Sequence, residues 1–319
     1  MNKPKIYIDG KEGTTGLQIY DRLSGRADIE LLLIDESKRK DTGERKKLMN
    51  AADLVFLCLP DAAAIEAVTL VENPNTRIID ASTAHRTAAG WTYGFPELGA
   101  SQREAIRTAK RVANPGCYAT GFISLIAPLT KTGLLPPDSR LTVHALSGYT
   151  GGGKKTIAQY EAAEREPELV SPRHYAVTLA HKHIPEMVQV CGLTRKPVFM
   201  PVICDFPQGM VVTVPLYFDM LNRRQTLNTL RNMYRDFYAG ERFVTVRPDD
   251  APACGFIGSN NLAGTNDLQI FVCGNEEQVM LAARLDNLGK GASGAAVQNM
   301  NIMLGFEESA GLVEQEKAL

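Results

Sequence analysis

The chain has 319 residues, a formal net charge of −1, 44% hydrophobic residues and 22% charged residues. These values are typical of a globular protein with about two domains, and the near-zero charge indicates neither nucleic acid nor an anionic membrane as a partner. The sequence contains no run of about 18 or more apolar residues, so we predict no membrane span. The start of the chain enters a strand pattern directly and does not resemble a signal peptide.

The first part of the chain alternates short apolar strands with helices. Four strands are predicted, at residues 5–9, 29–34, 53–59 and 77–80. Gly25 is predicted to end the helix that follows the first strand, and Asp61 to cap a later helix at residues 62–71. This alternation predicts a Rossmann-like α/β domain with a doubly wound parallel sheet.

A glycine-rich segment joins the first strand to the first helix. Gly10, Gly13 and Gly16 have the spacing G-x-x-G-x-x-G. Glycine permits unusual dihedrals in such a turn and lets a pyrophosphate approach the backbone at a helix N-terminus. We therefore predict that this segment, including Thr14 and Thr15, binds a dinucleotide; a plain tight turn is the alternative.

The end of the second strand bears on the choice between NAD and NADP. Asp35 stands where an acidic side chain would bind a ribose 2′-hydroxyl, which favours NAD. The hydroxyl of Ser37 and the three cations at 38–40 would instead hold a 2′-phosphate through charge-assisted hydrogen bonds. We favour NADP (NADPH), with Ser37 and Arg39 as ligands; a solvated charged loop is the alternative.

Strands dominate after the middle of the chain. They are predicted at residues 141–146, 198–204, 210–218, 242–246 and 268–273, with one helix near 224–238. This pattern predicts an α+β catalytic domain with a largely antiparallel sheet. A small-residue helix follows Asp286, and we expect it to pack on the first domain. The predicted domains are thus a dinucleotide-binding domain, 1–116 completed by the C-terminal helix 287–319, and a catalytic and dimerisation domain, 117–286.

One of the six cysteines has the surroundings of a nucleophile. The cysteines are Cys58, Cys117, Cys191, Cys204, Cys254 and Cys273. They form no C-x-x-C pair, so we expect neither zinc nor a disulfide framework, and a cytoplasmic location follows from this usage. Cys117 differs from the others because it follows Pro115-Gly116 at the predicted start of an apolar helix. Helix N-terminal N–H groups favour a thiolate and stabilise an oxyanion, which predicts thioester chemistry at Cys117.

A pair of histidines is the candidate for acid–base catalysis. His181 and His183 are two residues apart and would face the same way on an extended chain. Histidine suits proton transfer because its ordinary pKa lies near neutral pH. Glu186 could orient one of the two imidazoles. The sequence leaves open which histidine is the base.

The segment after the strand at 141–146 contains candidate substrate ligands. Residues 147–155 read Ser-Gly-Tyr-Thr-Gly-Gly-Gly-Lys-Lys, and the three glycines and two lysines include Gly152 and Lys154. Successive backbone N–H groups and a cation can hold a phosphate or a carboxylate. A mobile loop without a ligand is the alternative interpretation.

Three other residues have two interpretations each. Arg86 follows the fourth strand and would pair either with a substrate carboxylate or with a surface acid. Asn287 and the helix start at Gly291 would face the nicotinamide. Alternatively, the small residues there serve only close helix packing.

The segment Asn-Pro-Gly-Cys-Tyr-Ala-Thr-Gly at 114–121, with Pro128 after it, resembles the active-site pattern of N-acetyl-gamma-glutamyl-phosphate reductases, enzymes of arginine biosynthesis. Three further stretches fit this resemblance, at 147–155, 181–186 and 290–294. The similarity extends from Gly10 to Asn301, and the chain length is that of the shorter, type 2 branch. One departure is the segment 204–210, which lies where longer members have a Pro-His segment.

The resemblance implies a fold similar to that of aspartate-semialdehyde dehydrogenase. It implies reversible NADPH-dependent reduction of N-acetyl-gamma-glutamyl phosphate to the semialdehyde and inorganic phosphate, through a thioester on Cys117. Asn114 joins Ser147 and Gly148 among the predicted substrate-binding residues, and relatives suggest a homodimer or homotetramer. Three alternatives stay open: an aspartate-semialdehyde dehydrogenase, a cysteine hydrolase or acyltransferase that uses Cys117 and His183, and a nucleotide sensor without catalysis.

Overall fold

The computed structural model describes residues 3–248 and 255–315, so that Cys254 lies outside the described residues. The strands are β1 Lys5–Asp9, β2 Glu30–Leu32, β3 Leu54–Leu57, β4 Arg77–Asp80, β5 Thr92–Tyr93, β6 Arg111–Ala113, β7 Thr142–Gly148, β8 Arg173–His174, β9 Val198–Cys204, β10 Met210–Tyr217, β11 Val244–Val246, β12 Leu268–Gly274 and β13 Gln278–Leu285. The α-helices are α1 Thr14–Ser24, α2 Thr42–Ala51, α3 Asp61–Leu70, α4 Ala100–Thr108, α5 Cys117–Lys131, α6 Gly153–Tyr160, α7 Ile184–Val190, α8 Leu227–Phe237 and α9 Gly294–Leu304.

The chain divides into two compact units. The first consists of Met1–Pro96, Ala100–Pro115 and Ala292–Leu312; the second consists of Glu97–Gly99, Gly116–Gly291 and Val313–Leu319. The first unit contains the sheet β2-β1-β3-β4-β6-β5, in which every neighbouring pair is parallel. This is the doubly wound, Rossmann-like sheet that the sequence predicts.

Alternate residues of β1 enter two separate hydrophobic clusters of the first unit. Ile6 and Ile8 pack in one cluster with residues of α1 and α9, and Tyr7 lies in another with residues of α2 and α3. Since successive side chains of a strand point to opposite faces, both faces of this sheet are covered by helices. Helix α9, near the C-terminal end of the chain, is therefore part of the core of the first unit.

The start of α3 differs from the prediction. The helix begins at Asp61 itself, and Pro60 is its N-cap residue. The carboxylate of Asp61 accepts the N–H of Thr83 at 2.9 Å and the hydroxyl of the same residue. The predicted capping role of Asp61 is wrong because the side chain holds the segment after β4 instead.

Glycine is required in the segment between β1 and α1. Gly10 has φ +83°, and a Cβ there would collide with the carbonyl oxygen of Cys58. A Cβ on Gly16 would collide with the carbonyl oxygen of Gly10, which also accepts the N–H of Gly13 at 2.9 Å. The glycines thus let the loop fold tightly against β3 and expose the N–H groups at the start of α1.

We expect Gly10→Ala to lower the free energy of unfolding by about 2 kcal/mol or more, because it adds both positive-φ strain and a backbone collision. The matched control is Gly25→Ala. Gly25 has no positive φ and open space around the position of a Cβ. This control should leave stability unchanged or raise it by up to about 1 kcal/mol. Urea unfolding of both variants measures the difference, and equal effects would contradict the assignment of the loop geometry.

The second unit contains the sheet β11-β12-β13-β10-β7-β9-β8. Four of its six neighbouring pairs are antiparallel, and the pairs β11–β12 and β7–β9 are parallel. Helix α5 packs against β10, β12 and β13, and its residues Tyr118–Leu129 are all buried. The prediction of an α+β unit with a largely antiparallel sheet is confirmed.

Several elements differ from the sequence prediction. Strands β5, β6, β8 and β13 were not predicted, and β7 includes Ser147 and Gly148, which the prediction assigned to a loop. A π-helical turn, Gly289–Ser293, precedes α9. Among residues 3–248 and 255–315, none of the helices has the length and apolar character that a membrane span requires.

Candidate active site

Cys117 is the first residue of α5, and its side chain is partly exposed. Gly116, the N-cap residue, is extended with φ −82° and ψ 148°, and α5 is buried from Tyr118 to Leu129. The first turn contains no acidic residue, and no side chain caps the helix. The start of this helix carries the partial positive charge of a helix N-terminus, which favours a negative charge on the sulfur or on a bound oxygen.

Glu186 holds the backbone immediately before this cysteine. It lies in the first turn of α7, is 1% exposed, and its Oε2 accepts the N–H of Gly116 at 3.1 Å. The carbonyl oxygen of Gly116 accepts the N–H of Thr120 at 2.8 Å, as expected of a helix N-cap. The buried carboxylate thus fixes the residue from which α5 starts.

Five aromatic rings form a cluster beside the start of α5, those of Tyr118, Tyr175, His181, His183 and Phe199. The ring centroids of the two histidines are 4.7 Å apart, and Tyr118 lies 5.6 Å from His181 and 5.8 Å from His183. Tyr175 lies 6.3 Å from Tyr118. Burial raises the pKa of both tyrosines, which therefore stay protonated and can donate. The two tyrosines were not predicted; only the position of Tyr118 beside Cys117 could have indicated one of them.

A turn, not an extended strand, brings the two histidines together. His183 has φ −86° and ψ −10° and is the N-cap residue of α7, and the N–H of Ile184 donates to the carbonyl oxygen of His181 at 3.1 Å. The predicted extended geometry is wrong because the chain turns into α7 at this point. Both rings nevertheless face Tyr118.

The environments of the two imidazoles differ. Nδ1 of His181 accepts the backbone N–H of His183 at 3.1 Å, and its Nε2 lies 3.3 Å from the hydroxyl of Tyr175. Because Nδ1 is an acceptor, the neutral ring carries its proton on Nε2. His183 is 6% exposed. The backbone contact therefore fixes the tautomer of His181.

The last residues of β7 are held by close packing. Ser147 is buried, and Gly148 lies so close to Pro207 that a Cβ would be 2.5 Å from its carbonyl oxygen. Gly152 and Lys154 are exposed, and Lys154 lies in the first turn of α6. The segment thus has a fixed base at the strand end, and Gly152 and Lys154 are exposed beyond it.

Asn287 contacts the segment after β7, and Gly291 packs on Cys117. The Asn287 side chain is buried; its Oδ1 accepts the N–H of Gly209 at 2.9 Å and its Nδ2 donates to Thr150 Oγ1 at 3.1 Å. A Cβ on Gly291 would lie 2.6 Å from Cβ of Cys117, so glycine is required there for close packing. Asn287 therefore joins the loop after β7 to the loop before β10.

The first unit brings Arg86 and Asn114 together. Arg86 donates from Nε to the carbonyl oxygen of Asn114 at 3.0 Å and from an Nη to that of Ala81 at 3.2 Å. Asn114 is buried; its Nδ2 donates to the carbonyl oxygen of Ala292, and its Oδ1 accepts from Asn299 at 3.2 Å. These contacts orient the guanidinium through backbone oxygens.

The predicted 2′-phosphate ligands lie in the segment that follows β2. Asp35 accepts the N–H of Ser37 at 2.8 Å and its hydroxyl at 2.6 Å, and these hydrogen bonds lower the pKa of the Asp35 carboxyl. Arg39 pairs with Glu36 at 2.7 Å. Both predicted phosphate ligands thus have an acidic neighbour, which a bound 2′-phosphate would have to replace or share.

A cavity of about 300 Å³ lies beside the glycine loop. Its lining includes Asp9, Gly10, Lys11, Arg39, Lys40 and Arg45. Asp9 is buried and is neutralised by Arg45, with 2.8 Å between the charged atoms. The lining also contains Glu12 and Glu36, so that four cations (Lys11, Arg39, Lys40 and Arg45) face three carboxylates (with Asp9) and the net charge is +1. Beside the glycine loop, this cavity can take a dinucleotide phosphate.

Two family models match the chain. The NAD-binding domain of semialdehyde dehydrogenases matches residues 5–109, and the dimerisation domain of semialdehyde dehydrogenases matches residues 117–287. The solved aspartate semialdehyde dehydrogenase II of Vibrio cholerae, complexed with ASA, has the same fold, with a TM-score of 0.73 at 13% identity over 96% of this chain and 99% of that chain. The fold and the matched models together define the class of semialdehyde dehydrogenases, oxidoreductases with a nicotinamide dinucleotide cofactor.

Curated relatives narrow this class. The chain is 49% identical to N-acetyl-gamma-glutamyl-phosphate reductase 2 of Nostoc sp., over 98% of this chain and 100% of the relative. It is 51% identical to N-acetyl-gamma-glutamyl-phosphate reductase of Rhizobium meliloti, over 95% and 99%. The chain belongs to the N-acetyl-gamma-glutamyl-phosphate reductase family.

Proposed function

We propose that this protein reduces N-acetyl-gamma-glutamyl phosphate to N-acetyl-glutamate semialdehyde and inorganic phosphate, in arginine biosynthesis, with NADPH and through a thioester on Cys117. The observation that carries the proposal is the placement of Cys117 at the start of a buried helix whose next residue, Tyr118, contacts both histidines. The near 50% identity to reductases of this name supports the substrate.

In the acylation step, the thiolate of Cys117 attacks the acyl carbon of the acyl phosphate. A C–S bond forms, the C–O bond to the phosphate breaks, and phosphate leaves with its electron pair. N–H groups in the first turn of α5 stabilise the tetrahedral oxyanion. His183 accepts the thiol proton before the attack and returns it when the thiolate is released as product forms.

A bound nicotinamide supplies the hydride that reduces the thioester carbonyl. The chain's own task in this step is to hold the acyl group on Cys117 and to stabilise the negative charge on its oxygen. Collapse of the reduced adduct breaks the C–S bond and releases the aldehyde. The same N–H groups at the start of α5 would serve both halves of the reaction.

We assign the acid–base role to His183 and an orienting role to His181. His181 already uses Nδ1 to accept the His183 N–H, and its Nε2 faces Tyr175. A ring engaged at both nitrogens cannot exchange a proton without losing one of these contacts. Glu186 is a positioning residue in this proposal, since it holds Gly116 at the start of the nucleophile's helix.

We propose the residues that bind substrate and cofactor from the chemistry of their side chains and backbone groups. Gly152 and Lys154, with Ser147 and Gly148 at the base of their segment, would bind the anionic groups of the substrate. Arg86 and Asn114, which belong to the first unit, are proposed as substrate ligands from their side-chain chemistry alone. The cofactor would be NADP, bound by the glycine loop at residues 10–16 and, at the 2′-phosphate, by Ser37 and Arg39. Asn287 and Gly291 would face the nicotinamide.

We also propose that the first unit binds the cofactor and that the second carries catalysis and self-association. The match of residues 117–287 to a dimerisation domain supports an oligomer. A homodimer or homotetramer is the expected form, and the cytoplasm is the expected compartment from the cysteine usage.

The decisive assay runs the reaction towards the acyl phosphate. Purified protein is mixed with N-acetyl-glutamate semialdehyde, phosphate and NADP, and NADPH formation is followed by absorbance. We expect kcat/KM at least about 100-fold higher than with aspartate semialdehyde, and higher with NADP than with NAD. Faster turnover of aspartate semialdehyde would overturn the substrate assignment, and no reduction of cofactor with either aldehyde would overturn the reaction.

A further inference from the structure

The backbone turn that precedes α9 packs directly on the nucleophile. A Cβ on Gly291 would lie 2.6 Å from Cβ and 3.1 Å from Cα of Cys117. The turn is held internally, since Asp286 accepts the N–H groups of Leu288 and Gly291, both at 2.9 Å. Any displacement of this turn therefore changes the space around the sulfur.

The turn is tied to the interior of the second unit by a buried ion pair. Lys290 lies between two glycines of the turn, and its Nζ is 2.6 Å from Oε1 of Glu97. Glu97 is 1% exposed, and so is Lys290. Burying two charges carries a large desolvation cost, so such a pair is weak evidence for stability and is often replaceable by apolar side chains. A role in holding the turn before α9 in one geometry explains the buried Lys290–Glu97 pair better than a contribution to stability does.

The segment that supplies Glu97 also holds the helix of the nucleophile. Residues Glu97–Gly99 belong to the second unit, although the chain on both sides belongs to the first. The carbonyl oxygen of Leu98 accepts a hydrogen bond at 2.8 Å from Nζ of Lys131, the last residue of α5. One three-residue segment thus anchors the turn that packs on Cys117 and the helix that begins with it.

We infer that Glu97–Gly99 positions Cys117, acting through Lys290 on the adjacent turn and through Lys131 on α5. Glu97, Lys290 and Lys131 are positioning residues, because they act on the thiol through the backbone. The inference rests on the proposed function only in taking Cys117 as the nucleophile. Misplacement of a reacting group by about 1 Å can cost about 100-fold in rate.

The test replaces the ion pair by apolar side chains of similar length, Lys290→Met with Glu97→Leu. Iodoacetamide alkylation of Cys117 is followed by peptide mass across about pH 6–9, without substrate or cofactor. We expect the alkylation rate to fall about tenfold and its pH midpoint to rise, because the displaced sulfur loses N–H contacts of the helix start. In steady state, kcat should fall about tenfold or more while KM for NADPH stays within about twofold.

An exposed ion pair serves as the matched control. Lys46 and Glu72 have the same separation, 2.6 Å, with 43% and 67% of their side chains exposed. The double variant Lys46→Met with Glu72→Leu should alkylate at the rate of the unmodified protein. Lys290→Arg keeps a cation beside Glu97 and should retain at least about a third of that rate.

Three results would overturn the inference: a folded Glu97–Lys290 double variant with unchanged alkylation, an equal loss in the exposed-pair control, or an equal loss in Lys290→Arg. If the double variant does not fold, Lys131→Met decides, since it removes only the second anchor. Slower alkylation in Lys131→Met supports the inference, and an unchanged rate contradicts it. If Cys117 is alkylated normally in a protein that reduces no acyl phosphate, the proposed function fails and the alkylation comparison still decides the positioning role.

Discussion

Cys117→Ala should lower kcat/KM for the acyl phosphate by about 10⁴-fold or more, while the dissociation constant for NADPH changes by less than about twofold. Without the sulfur no C–S bond forms, and the N–H groups of α5 have no bound acyl oxygen to stabilise. The other described cysteines cannot substitute. Cys191, Cys204 and Cys273 are buried, and burial raises the pKa of the Cys58 and Cys191 thiols.

The measurement pairs steady-state turnover with fluorescence titration of NADPH, so that chemistry and cofactor binding are read separately. The matched control is Cys191→Ala, which removes a 2% exposed sulfur from the same unit. This control should lose about 1–2 kcal/mol of unfolding free energy and keep most of its kcat. A Cys117→Ala variant that keeps more than about 1% of the turnover would rule out the thioester route.

The strands that could be predicted are those in which a local run of apolar residues is sufficient to indicate burial. All four residues of β3 are buried, and an uninterrupted apolar run of this length is what a strand covered on both faces requires. Strands β1, β4 and β9 match the predicted bounds for a similar reason, since glycine or polar residues mark where each apolar run stops.

Strand β13 was missed because its partners are distant in the sequence. It pairs along its whole length with β10 and along most of its length with β12, yet Gln278 and Met280 are exposed. Its own residues alternate only at the start of the strand, so that its local pattern is weak. Backbone pairing with two neighbours stabilises it, and this is not visible in a single segment.

In the candidate site too, the sequence indicates some residues but not the contacts that hold them. The nucleophile and the histidine pair are local motifs, and the sequence indicates them. The contacts that hold them are not local: Glu186 reaches Gly116 across 70 positions, and Lys290 reaches Glu97 across 193. The relative geometry of the two histidines depends on the turn into α7. The packing of α7 fixes this turn, and the local sequence does not show it.

The second large effect is expected at His183. His183→Asn should lower kcat by about 10²–10⁴-fold, the range usual for removal of a general acid or base. In this variant the thiol must lose its proton to solvent, so the remaining rate should rise about tenfold per pH unit until the thiolate is fully formed. Turnover measured against pH, with and without the substitution, shows both effects.

His181→Asn is the matched comparison because asparagine retains an acceptor at nearly the position of the imidazole Nδ1. That atom accepts the N–H of His183 at 3.1 Å in the structure. If His181 only orients its neighbour, His181→Asn should lose less than about tenfold in kcat, and His181→Leu, which has no acceptor, should lose more. The pH profile of His181→Asn should keep the shape of the unmodified enzyme's profile, because His183 still carries the proton. A larger loss and a tenfold-per-unit pH dependence in His181→Asn, with His183→Asn nearly normal, would exchange the two roles.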